Sequence, residues 1–154
     1  MPKRGAISWR RRVAAKQAKK DKSAERFKHR TRLEKIGVKP EWRASVVAVG
    51  DPDFIRELKA AAAEVAVGRT LDQSDAIFFG AIDAKELTRL AILKRSLKPN
   101  GALWVIRPKG RPEISERAVM DAGKAAGLVD VKVISFSETH TGEKFVIPLA
   151  LRNR

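Results

Sequence analysis

The chain has 154 residues, with 33 Lys and Arg against 18 Asp and Glu, a formal net charge of +15 and no Cys. Without Cys, disulfides, thiolate zinc sites, iron–sulfur ligation and a Cys nucleophile are excluded. No apolar run approaches the roughly 18 to 20 residues a membrane span needs, and the N-terminus lacks a hydrophobic signal stretch, so the expected setting is the cytoplasm, with no membrane partner.

The charge is concentrated at the start. Residues 1–43 hold 16 basic and 4 acidic side chains, leaving 17 and 14 for the rest. From Ala14 to Arg26 nothing apolar exceeds Ala, so this stretch has no stripe with which to join a core. Its Ala, Lys, Arg, Gln and Glu favour helix, with no Gly or Pro between Gly5 and Gly37, once something neutralises the charge. The composition therefore suggests a polyanion. Lys3, Arg4, Arg10, Arg11, Arg12, Lys16, Lys19, Lys20, Lys22, Arg26, Lys28, Arg30 and Arg32 are placed to track a phosphate backbone, extended or helical. Trp9 and Phe27, interleaved among them, are candidates to stack on unpaired bases of folded RNA. The plainer readings are a solvated solubility arm with both rings packed on the domain, or an organelle targeting segment. Against targeting, Ser8 is the only hydroxyl residue in the first twenty.

Gly37 and Pro40 interrupt the arm, and a domain boundary falls near Arg43, giving an arm at 1–43 and a globular domain at 44–154. Ser45–Val49 reads as a buried strand ending at Gly50, with Asp51 and Pro52 starting a helix to about Ala63. Strands follow at Glu64–Val67, ended by Gly68, and at Asp75–Phe79, ended by Gly80. Asp83 caps a helix to Leu97, residues 98–101 form a turn, and Ala102–Ile106 is a fourth strand. Glu113–Ala126 reads as a helix stopped by Gly127, followed by a hairpin of Val129–Ser137 and Phe145–Leu151 turning near Thr141 and Gly142.

Apolar strands alternating with amphipathic helices predict an α/β fold, an open and mostly parallel sheet with helices on both faces and a C-terminal antiparallel hairpin. Residues 93–105 (LKRSLKPNGALWV), then 126–133 (AGLVDVKV) and a returning strand, resemble the C-terminal half of a class I methyltransferase, a Rossmann-type fold. They resemble more closely a family of small uncharacterised bacterial proteins with a shortened form of it. The resemblance covers about residues 33–151 and omits the basic arm. It implies a cofactor site after the first strand, where such enzymes carry a Gly-rich loop, and an acid ending the second strand to hold ribose hydroxyls. Here the first loop has only Gly50 before Asp51 and Pro52, and the second strand ends in Val67-Gly68-Arg69 with Asp72 the nearest acid. Gly50, Asp51 and Asp72 are the candidate cofactor residues.

No catalytic residue stands out. His29 lies in the arm and His140 beside the predicted hairpin turn, and two distant His do not make a metal site. Asp51 and Asp53 suit helix capping better than paired catalysis. A second basic group, Lys94, Arg95 and Lys98 with Arg107, Lys109 and Arg111, is a candidate phosphate grip. The resulting expectation is a non-catalytic RNA-binding protein without cofactor or metal, bound to structured RNA, above all rRNA within a ribosomal subunit beside other ribosomal proteins. The alternatives are an S-adenosylmethionine-dependent RNA methyltransferase and a nucleoid DNA-binding protein.

Overall fold

The computed structural model describes residues 31–152, so the arm positions from Lys3 to Arg30, with Trp9, Phe27 and His29, lie outside the described residues. The chain divides into two compact units, Met1–Lys35 and Ile36–Arg154. At the end of the first, Thr31 and Glu34 exchange backbone-to-side-chain hydrogen bonds of 2.8 and 3.2 Å, a capping box that starts the short helix α1, Arg32–Ile36. Arg32 opens that helix.

The second unit is built on one six-stranded sheet. Its strands are β1 (Arg43–Val47), β2 (Glu64–Val67), β3 (Ser74–Gly80), β4 (Leu97–Pro108), β5 (Val129–Ser135) and β6 (His140–Val146), in the order β2-β1-β3-β4-β6-β5. Only β6 runs against its neighbours. Near-continuous apolar strands are what a sheet covered on both faces requires. The faces separate by the period of two along each strand. Ile77 and Phe79 of β3 join Leu103 and Val105 of β4 in one cluster, with Leu87, Leu90 and the Val119 of α4, Glu116–Ala125. Phe78 and Trp104 point the other way, where Phe54 of α2, Pro52–Ala61, meets Phe78 edge-on at 5.0 Å and Phe136 at 4.7 Å.

Three elements depart from the sequence expectation. The helix predicted from Asp83 is mostly 3₁₀, over Ala84–Arg89 and Lys94–Ser96, with one α-helical turn, α3, at Leu90–Leu93. Leu87, Leu90 and Leu93 recur every three residues and so share one face of a three-residue turn. Residues 98–101 are not a free turn but an irregularity within β4: Ser74 pairs with Leu97, yet Ala76 pairs with Ala102. The hairpin turn lies at residues 136–139 instead of near Gly142, which sits inside β6 opposite Ile106. A Cβ there would come within 3.3 Å of Ile106 Cδ1, so this glycine serves packing.

The link from β2 to β3 contains no helix. Gly68, at φ +83°, reverses the chain, and Arg69 bridges back antiparallel to Val46. Leu71 N then donates to the buried Ser45 Oγ at 2.8 Å, and Ser45 and Ser74 share a 2.8 Å hydroxyl contact. A crossover between parallel strands ordinarily takes about a dozen residues with a helix; here an extended return segment shortens it.

Candidate functional site

The strand order reverses between β1 and β3, which lie side by side while β2 departs to the other side of β1. Ligands of open α/β sheets bind beyond the carboxyl ends of strands at such a switch point. A cleft of about 290 Å³ occupies this place. Its floor is the loop Ala48–Pro52 after β1 and Gly80–Ile82 at the end of β3, and its far wall is Ile106 with the hairpin turn, through Phe136, Ser137, Thr139 and His140.

Tight local geometry shapes the floor. Ala48 stands at φ +60°, a left-handed conformation unusual for a residue with a side chain. A Cβ on Gly80 would lie 2.1 Å from the Ala48 carbonyl oxygen, so only glycine lets the two strand ends approach this closely. Beyond it, Asp51 N-caps α2, with its carboxylate accepting from Phe54 N at 3.0 Å, and Pro52 fills the first helical position. Asp53 pairs with Arg56 on the exposed side of the same turn. An adjoining groove runs past Ile55, Arg56 and Lys59 of α2.

The candidate cofactor residues separate. Gly50 and Asp51 line the cleft, and nothing lies within 4 Å of a Cβ built on Gly50, leaving its backbone open to a ligand. Asp72 is exposed in the return segment just before β3, at the amino end of the sheet, and does not line the cleft. Because Gly68 turns the chain back at once, no acid follows β2. The site thus fits a ligand lying across the β1 loop and lacks the ribose-holding carboxylate implied by the resemblance. Among the described residues no cluster of His, Asp and Glu could hold a metal ion.

The second basic group also separates. Arg107 is not an exposed phosphate grip: it is 8% exposed, and its Nε donates to Oε1 of Glu143, itself 0% exposed, in an ion pair between β4 and β6. Glu143 pairs with Val105 and Arg107 with Thr141, so the two residues sit two positions apart in the register and share one face of the sheet, that of Leu103 and Val105, on which α4 packs. Burial pushes the Glu143 carboxyl above its usual range, opposed by Arg107 and reinforced by Glu116 and Asp130. Lys98 is tied to Asp75 at 3.0 Å and Lys94 to the Ala126 carbonyl at 3.2 Å, at the start of β4 and away from the cleft. Lys109 and Arg111 remain exposed after β4, where Lys109 Nζ donates to Ser135 Oγ at 2.8 Å. Sequence reasoning missed the hairpin turn as a cleft wall, because it placed that turn at Gly142 and left His140 without surroundings.

No protein-family model and no curated protein matches the chain. Solved structures do. A SAM-dependent methyltransferase from Aquifex aeolicus superposes with TM-score 0.60 at 20% identity, covering 75% of this chain and 87% of its own. A ribosomal protein L11 methylase from Lactobacillus delbrueckii subsp. bulgaricus gives 0.58 at 13%, covering 75% and 74%. The Methanococcus jannaschii fibrillarin pre-rRNA processing protein gives 0.51 at 12%, covering 71% and 68%. The expectation of a non-catalytic protein, whose support was the thinness of the cofactor motifs, is corrected by these neighbours, since the fold is that of SAM-dependent methyltransferases. Among the described residues no helix is long and apolar enough to cross a membrane. The six-stranded order, the antiparallel last pair and these superpositions make the globular unit a shortened, Rossmann-like domain of class I methyltransferase fold.

Proposed function

We propose that this chain is a SAM-dependent methyltransferase acting on RNA, with residues 1–43 as the arm that holds the acceptor. The carrying observation is the open cleft at the β1/β3 switch point of a sheet shared with such enzymes. S-adenosylmethionine, when bound, supplies an electrophilic methyl group. The chain's own residues do the rest. Gly50 leaves room for a ligand to lie on the backbone, Asp51 rigidifies the loop by capping α2, and Ile82, Ile106 and Phe136 give the cleft its apolar lining. The arm contributes phosphate contacts, each releasing counterions. Support for RNA comes from the arm's +12 and from neighbours that include a pre-rRNA processing protein and a ribosomal protein methylase.

Calorimetry with S-adenosylmethionine and transfer of a tritiated methyl group to total cellular RNA test the reading. Submillimolar cofactor binding and nuclease-sensitive label are expected. Absence of cofactor binding, or label retained by protein after nuclease treatment, would overturn it.

A further inference from the structure

We propose that the turn from Phe136 to His140 is the acceptor half of the cleft and receives an unpaired nucleobase; its place in catalysis rests on the function proposed above, its ligand chemistry does not. Among the described residues lining the cleft, side-chain polar atoms come only from Asp51, Ser137, Thr139 and His140, and the Asp51 carboxylate already caps α2. Polar recognition therefore falls to the turn.

The turn is built to hold its groups in place. Phe136 N and Ser137 N both donate to the His140 carbonyl, at 3.0 and 3.1 Å, while Ser137 Oγ accepts from Thr139 N and His140 N at 3.3 and 3.1 Å. Thr139 Oγ1 lies 2.8 Å from His140 Nδ1 and so engages that ring nitrogen, which leaves Nε2 as the imidazole's other polar atom. Pre-organised donors and acceptors of this kind lose little freedom when a ligand arrives.

Apolar surface lies beside these groups. Ile106 and Phe136 line the same cleft but are only 2% and 3% exposed, so its accessible apolar surface comes mainly from Ile82, which is 67% exposed. A flat ring with a hydrogen-bonding edge satisfies both surfaces at once, as extruded or single-stranded bases do in pockets that stack the ring and read its edge. Cations stand where the flanking phosphates would run. Lys109 is anchored to the turn through its backbone N–H to the Thr139 carbonyl at 2.9 Å, and Arg111 is exposed two residues on.

The test uses the full chain and uncharged nucleosides, so that the arm's charges contribute nothing and the His140 signal separates the turn from any stacking on Trp9 or Phe27. Adenosine, guanosine, cytidine and uridine are titrated separately while the imidazole resonances are followed by NMR, with His140 assigned by the loss of its signal in His140→Gln. At least one nucleoside is expected to shift His140 and leave His29 unmoved, and His140→Gln is expected to weaken that nucleoside about fivefold to tenfold, the loss of one hydrogen bond. Thr139→Val, which removes only the hydroxyl bracing the ring, should weaken it in the same direction and covers the case in which His140→Gln misfolds. Nucleosides that leave His140 unshifted would overturn the proposal. So would S-adenosylhomocysteine displacing every nucleoside from His140, since the turn would then belong to the cofactor. Nucleoside binding at His140 with no binding of S-adenosylhomocysteine would support the acceptor site while removing the methyltransferase reading.

Discussion

Replacing Arg107 by Leu tests whether the ion pair beneath α4 belongs to the fold or to ligand binding. The guanidinium is 8% exposed and Glu143 is 0% exposed, and Oε2 of Glu143 has no hydrogen-bond partner among the described residues. Removing the arginine leaves a carboxylate in an apolar setting with Glu116 and Asp130 acting against its charge. Breaking such a pair costs about 3 to 5 kcal/mol near neutral pH, a large share of the roughly 5 to 15 kcal/mol that holds a small domain together. The pH dependence has a definite sign. A carboxyl whose folded pKa lies above the ordinary value of 4.5 takes up a proton on folding, so its folded form is favoured below that value and loses ground as pH rises through the folded pKa. Losing Arg107 widens the upward shift. The deficit of the variant against wild type is therefore greatest near pH 8 and shrinks toward about pH 5. Urea unfolding at both pH values measures it, and the double variant Arg107→Leu with Glu143→Leu should recover most of the loss, because no buried charge remains. A deficit under about 1 kcal/mol at pH 8, or one equal at both pH values, would refute the reasoning. RNA affinity of the single variant should stay close to wild type.

Gly80→Ala forces a methyl group to within 2.1 Å of the Ala48 carbonyl, so it should destabilise by about 1 to 3 kcal/mol in thermal melts and abolish calorimetric binding of S-adenosylmethionine through displacement of the β1 loop. Asp51→Ala removes the cap of α2 and should cost about 1 kcal/mol, with Asp51→Asn losing only a fraction of that because the amide oxygen still accepts from Phe54 N. Deleting residues 2–35 should sharply reduce the slope of log affinity against log salt for RNA in fluorescence anisotropy; an unchanged slope would locate the phosphate contacts on the globular unit.

The sequence by itself determined the class of the fold, since alternating apolar runs and amphipathic segments bounded by Gly50, Gly68, Gly80 and Gly127 admit few arrangements other than a helix-covered, mostly parallel sheet. It also determined the cap at Asp51 and the stop at Gly127, which stands at φ +79°. Those signals act within a few residues of where they are read. What the tertiary structure alone decided involves partners far apart in the chain. Arg107 looks like an exposed cation until Glu143, 36 residues on, is brought beside it by strand pairing. Gly142 looks like a turn until Ile106 and Ile134 close around it, and moving the turn to residues 136–139 is what carries His140 to the cleft opposite Gly50. Asp72 goes the other way, carried from the candidate site to the amino end of the sheet by the reversal at Gly68. Register between strands is set by packing across the whole sheet, so the company a polar residue keeps is a property of the folded chain and has no signature in its immediate sequence.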